Sequence, residues 1–183
     1  MSPEEQCRAK LNFYRKSGIP GVIMCVDGTH IRIIPPAQDR NLFYNRKGFY
    51  SLNVLVVSCA PIYNTLLKIF PFQQVCDDQQ RIRFVDPSFQ GSNHDSHSDA
   101  GYPSEPWLVT PFRAAEEGSV ESDFNRRHAL GRNIVERTIG VLKNRFRCIL
   151  GARQLHYAPK KAAQIINVCC ALHNICLEFG CSQ

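Results

Sequence analysis

The sequence predicts an α/β domain, with strands gathered in the first half of the chain and helices in the second. Three observations carry that expectation. Residues 22–26 (VIMCV) and 50–59 (YSLNVLVVSC) are apolar runs rich in β-branched side chains, the composition of strands covered on both faces. Residues 80–89 (QRIRFVDPSF) alternate apolar and polar side chains well enough for a third strand. From Ser122 onward the period changes, and Val135, Ile139, Leu142, Phe146 and Ile149 recur at steps of four and three, one face of a helix over about 125–150.

Taken in order, residues 4–17 form a short polar helix with Leu11 and Tyr14 on one side, stopped by Gly18 and Pro20. Asp27 ends the first strand, and Ile31, Ile33 and Ile34 alternate with His30 and Arg32 until Pro35 and Pro36 stop the ladder. A loop over 35–44 leads to the basic turn Asn45-Arg46-Lys47-Gly48, so the second strand is expected to pair antiparallel with the first. Residues 60–74, with Pro61 and Pro71 bracketing IYNTLLKIF, read as an irregular excursion or a short helix. Residues 90–100 are wholly polar and are expected to be neither strand nor helix, and residues 107–112 read as a short strand. A last helix opens at Pro159 and runs to about Phe179, with Ala162, Ile165, Cys169, Leu172 and Cys176 as its buried stripe.

At 183 residues the chain is about one domain, with 44% hydrophobic and 21% charged residues. No stretch is long and apolar enough for a membrane span, and residues 1–10 lack the apolar core of a signal peptide, so the expectation is an intracellular chain with no membrane partner. Its nine cysteines contain no CxxC pair and read as reduced, mostly buried thiols. Net charge is +6, unevenly spread: ten Lys or Arg residues and one acid, Glu136, lie between Arg126 and Lys161. Such a face suits a polyanion, nucleic acid above all, although solvated basic helices are common.

Two carboxylates stand out. Asp27 sits at the end of a buried strand, where it is either a ligand for a cation or a cap for the turn that follows. On the expected helix, Glu136 shares a face with Arg132, Gly140, Lys143 and Arg147. That set suits a metal-binding acid flanked by phosphate-holding cations, or equally a surface Glu in ion pairs worth a few tenths of a kcal/mol (~0.3). His94, Asp95, His97 and Asp99 add further potential ligands, carboxylates favouring Mg²⁺ or Mn²⁺ and histidines zinc. Cys169, His173 and Cys176 share one helix and read as a buried face more readily than as a zinc site.

VDGTHIRI (26–33), YNRKGFYSLNV (44–54), GSNHDS (91–96), SDAGYP (98–103), WLVTP (107–111), FNRRHALGRNIVERTIGVLKNRFRCI (124–149) and ALHNICLE (171–178) resemble, in order, the blocks of PIF/Harbinger-type transposases and their domesticated nuclease relatives. The resemblance spans roughly residues 21–178. It implies an RNase H-like fold, a mixed sheet flanked by helices, and two divalent cations, Mg²⁺ or Mn²⁺, held by acids. Asp27 then matches the first acid and Glu136 the last, while Asp95 and Asp99 are both candidates for the middle one. Arg46, Lys47, Arg132, Lys143 and Arg147 are the expected nucleic-acid contacts.

Domain organisation follows from the resemblance: a helical stub over 1–20 and a nuclease domain over 21–179. That domain carries an insertion at about 60–74 and lacks a strand and its crossover helix near 96–98, since only three residues separate Asp95 from Asp99. The implied activity is metal-dependent cleavage or strand transfer on DNA in the nucleus, with the alternative of a catalytically impaired remnant that binds DNA or protein. The family's helix-turn-helix module has no match in residues 1–20, which implies reliance on a separate Myb-like DNA-binding protein.

Overall fold

The computed structural model describes residues 1–55, 74–94, 109–151 and 154–181. Among the described residues, three helices, α1 (Pro3–Ser17), α2 (Val120–Arg145) and α3 (Pro159–Glu178), pack on six short strands: β1 (Cys25–Asp27), β2 (Thr29–Arg32), β3 (Ser51–Leu55), β4 (Gln74–Cys76), β5 (Ile82–Phe84) and β6 (Asp86–Gln90). The α/β expectation holds. All pairings between these strands are antiparallel, and the one parallel contact recorded among the described residues is the isolated bridge between Ile33 and Leu155.

Helix α1 starts at a capping box in which the Ser2 hydroxyl accepts from Glu5 N–H and the Glu5 carboxylate accepts from Ser2 N–H. It ends on Gly18 in the left-handed region at φ 71°. Its buried face is Ala9, Phe13 and Ser17, whereas Leu11 and Tyr14 are about half exposed, so the expected apolar side was misassigned by one helical step. Helix α2 begins earlier than its apolar stripe suggests, because the Ser119 hydroxyl accepts from Ser122 N–H and sets the N-cap. It ends at Arg145, and the chain tightens into a 3₁₀ turn at Arg147–Ile149.

The strands form two three-stranded sheets, β1-β4-β5 and β2-β3-β6. The run containing Asp27 crosses from one sheet to the other at Gly28. The expected third strand does the same at Val85, so it is two strands, β5 and β6, in different sheets. The registers tie these crossings together. From Thr29 back to Asp27, two residues, the partner moves from Val54 to Gln74, twenty residues. On the other side, from Asp86 back to Phe84, the partner moves from Leu55 to Val75, again twenty. Both neighbours therefore see β3 and β4 as halves of one strand line, with eighteen residues between them in the sequence. Residues 60–74, read as an excursion or a short helix, lie almost wholly outside the described residues.

Helices α1 and α2 cover the β1–β4 side, burying Ala9, Phe13, Cys76, Ile134 and Val135 together. Helix α3 covers β5 and β6, and the larger cluster joins Ile31, Ile33, Leu52, Val54, Leu142, Ile149 and Ile166. The α3 stripe differs from expectation: Ala162, Ile166, Cys169, Cys170 and His173 are buried, and Leu172 is not. The helix is apolar on two adjoining faces, and periodicity alone does not say which one meets the core. Asn174 clamps β5 from this helix, its amide accepting from Ile82 N–H at 2.8 Å and donating to Ile82 C=O at 2.6 Å. His173 Nε2 lies 3.0 Å from the Gln80 carbonyl, so it is a core histidine.

Other expectations shift at the ends of elements. Gly91–His94 form a 3₁₀ turn where no helix was expected, and residues 109–112 are not strand. Gly91 leaves no room for a side chain, because a Cβ there would lie 2.5 Å from the Phe43 carbonyl and 2.7 Å from that of Ser51. The eight described cysteines are free thiols. No helix among the described residues is long and apolar enough to cross a membrane.

Candidate metal and phosphate site

The site is assembled where the Asp27 turn meets α2. Gly131 provides the close approach of α2 to α1, with Ser17 beneath it, and Ile134, Val135 and Thr138 turn inward. Residues one position away on the helix surface, Arg132 and Glu136, are thereby carried over β1. Arg132 Nη2 lies 3.6 Å from Asp27 Oδ1 and 3.4 Å from Glu136 Oε1. One guanidinium nitrogen thus serves two carboxylates from different elements, and their oxygens cannot be farther apart than those two distances laid end to end. Asp27 is largely buried and Glu136 about half exposed. Asp27 Oδ1 also accepts from Gly28 N–H at 2.9 Å, so the turn-cap role and the carboxylate cluster coexist.

Lys143 enters from the next turns of α2. Its ammonium donates to Thr29 Oγ1 at 2.6 Å and to the His30 carbonyl at 3.2 Å, pinning the start of β2 to the helix. Burial pushes Lys143 down to about 8, the Lys47 charge pushes the same way, and Asp27 opposes both. Lys47 belongs to the Asn45–Gly48 turn, which the buried Asn45 organises: its side-chain oxygen accepts from Lys47 N–H and its amide donates to Ser51 Oγ. Gly48 closes that turn at φ 79°.

Of the sequence candidates, the structure brings Asp27, Arg132 and Glu136 into contact and sets Lys143 and Lys47 close by. Arg46 is exposed on the same turn as Lys47. Arg147 leaves the face it was expected to share, because α2 ends two residues before it. Asp95 and Asp99 lie outside the described residues. Among the described residues no three His, Cys, Asp or Glu side chains gather as a metal cage.

The arrangement fits a divalent cation as far as it is described. Two carboxylates already converge on one cationic nitrogen, and hard oxygen donors suit Mg²⁺ or Mn²⁺. Sequence reading did not single out Thr29 as the anchor for Lys143. It also missed Asp77, which is fully buried and accepts from Gln79 N–H, Arg81 N–H and Arg83 Nε. Arg83 continues to Glu5 at 2.8 Å and so ties the β4–β5 turn to α1. The signal was present, since Val75-Cys76-Asp77 ends an apolar run in an acid just as Val26-Asp27 does.

Residues 97–174 match the family model described as DDE superfamily endonuclease. The chain is 36% identical to a mouse (Mus musculus) protein, 35% to a human (Homo sapiens) one and 34% to a rat (Rattus norvegicus) one, all named "Putative nuclease HARBI1". Each match covers 93% of this chain and 50% of the relative, so the chain spans about half the length of the curated relatives it matches. No solved structure matches.

Proposed function

Because this chain belongs to the Harbinger-derived nucleases of the DDE superfamily, we propose that it is a divalent-metal-dependent DNA endonuclease or strand-transferase with an RNase H-like core. The observation that supports this reading is the convergence of Asp27 and Glu136, which the resemblance matches to the family's first and last acids, on one cationic atom. Asp27 and Glu136 hold the cations, with Asp95 or Asp99 as the middle ligand. A bound pair of Mg²⁺ or Mn²⁺ ions supplies activation of a water or 3′-hydroxyl and charge stabilisation at the scissile phosphate. The chain's own side chains do the rest. Lys143, Lys47 and Arg46 line the approach with positive charge, Arg132 contributes a further phosphate-binding group, and Arg147 extends the basic surface beyond the helix. The Lys143 bonds to Thr29 and the His30 carbonyl hold the Asp27 turn in register with Glu136. The site of action is the nucleus, where a Myb-like protein supplies target selection.

Nicking of supercoiled plasmid tests the reading. Purified protein is expected to nick only with Mg²⁺ or Mn²⁺, and Asp27→Ala and Glu136→Gln to abolish nicking while leaving salt-sensitive DNA binding in place. Whichever of Asp95→Asn and Asp99→Asn abolishes nicking identifies the middle acid. Binding without nicking under any divalent cation would replace the nuclease with a DNA-binding remnant.

A further inference from the structure

Helix α3 buries one face and leaves the neighbouring one bare. Val168, Leu172, Ile175 and Phe179 are 57%, 42%, 48% and 76% exposed, and they follow one another at steps of four, three and four. A solvent-facing stripe at that spacing is the a/d seam of a helix pair, because alternating steps of three and four keep apolar side chains on one line. Partly buried Ile165 extends the seam toward the helix start, and exposed Lys161 occupies its next position. Basic residues, Lys160 and Lys161, stand at the N-terminal end, while Glu178 and the aromatic Phe179 stand at the C-terminal end.

We propose that this face of α3 docks on the same face of a second copy of the chain, antiparallel, about a two-fold axis that passes between Val168 and Leu172. The pattern supports that register in detail. In an antiparallel pair each a position faces a d position of the other helix. Centred on residue 170, Leu172 faces Val168, Ile165 faces Ile175, and Phe179 faces Lys161. The one polar residue in the seam therefore meets the one aromatic ring, an ammonium over a π face, with Glu178 beside it. A parallel pair would instead set Lys161 against Lys161 and leave both lysines without an opposite charge. The interface is isologous and closes on itself, as a two-fold dimer requires. A seam this short buries less than a standard interface, so the dimer is expected to dissociate in the micromolar range, at a Kd of about 1–100 μM. None of these residues belongs to the Asp27–Glu136 site, and the dimer stands or falls independently of the nuclease reading.

Sedimentation velocity of the full 183-residue chain tests it, from low to high micromolar concentration. The expected result is a concentration-dependent shift to twice the chain mass, and a shift of at least tenfold in the dissociation constant for Leu172→Glu/Ile175→Glu, with unchanged circular dichroism. Register is read by mixing Val168→Cys and Leu172→Cys proteins under mild oxidation. Cross-links between the two different variants should exceed those within either one. A monomer at all concentrations, a dimer indifferent to the two glutamates, or preferential pairing of like cysteines overturns the proposal.

Discussion

Deleting residues 56–73 should leave the fold intact and make it more stable. The deletion joins Leu55 directly to Gln74, and across the junction both neighbours then run on without the eighteen-residue jump, while the irregularities at Asn53/Leu55 and Val75/Cys76 stay as they are. Gly28 would face Leu55, Asp27 would keep Gln74, Val85 would face the junction, and Phe84 would keep Val75. Bringing together the ends of a flexible eighteen-residue segment costs about 2–3 kcal/mol of chain entropy, and removing such a segment returns that amount. For a chain of this size the change corresponds to a rise of roughly 5–10 °C in Tm. Urea denaturation followed by circular dichroism reads both the midpoint and the strand signal. A variant that aggregates, loses strand content, or unfolds at lower urea than the parent would refute the idea that β3 and β4 are one strand interrupted. The nicking assay on the same variant shows whether residues 56–73 affect the candidate site.

Three further substitutions separate the roles of other groups. Lys143→Met should stabilise the chain at pH 7 by about 1–3 kcal/mol while weakening DNA binding, because a buried cation is replaced by an apolar side chain of similar length. In the parent, the folded value of about 8 lies below the ordinary 10.5, so the unfolded chain holds the extra proton between those values. The contribution of Lys143 to stability should therefore rise with pH from about 8 to about 10.5, against the opposite slope of the Cys25, Cys76, Cys169 and Cys170 thiols that burial pushes up, and urea titrations of the parent and Lys143→Met across that range read it as the difference between the two. Asp77→Ala strips three donors of their acceptor and should cost about 3–5 kcal/mol, read by Tm, with Arg83 left facing Glu5 alone. Gly91→Ala should cost more than about 3 kcal/mol or prevent folding, since two of the three clashing atoms are the backbone carbonyl oxygens of Phe43 and Ser51, which cannot swing aside as the Ser51 hydroxyl could, and soluble yield and Tm measure it. A neutral result at either position would refute the packing described there.

What the sequence made legible was mostly local. The acid-terminated run at Asp27, the Gly48 turn with its antiparallel hairpin, and the two C-terminal helices follow from short-range pattern and turn chemistry. Asp27 and Glu136 were singled out together through family order, and the structure sets both against Arg132. Misses arise where tertiary packing chose between local equivalents. Periodicity places both Leu172 and Ile166 on apolar faces of α3, and only the position of β5 and β6 decides that Ile166 is inside. Residues 80–89 read as one strand because each half alternates properly, and the change of sheet at Val85 is set by two different partners, the nearby β4 for one half and the distant β3 for the other. Arg147 was assigned to the α2 face on an unbroken helix, whereas the backbone has already tightened at Phe146.

Arg132 has a consequence for the order in which the site fills. While its guanidinium answers Asp27 and Glu136, it neutralises acids that would otherwise repel each other across the gap between β1 and α2. The same group cannot at once lie between two carboxylates and embrace a phosphate. On the proposed function, a cation taking its place among the acids turns an internal counter-ion into a ligand for DNA, and DNA that engages Arg132 leaves the acids in need of a cation. Metal affinity and DNA affinity are then two readings of one coupling free energy, equal in either direction, with a single side chain as the element that transmits it.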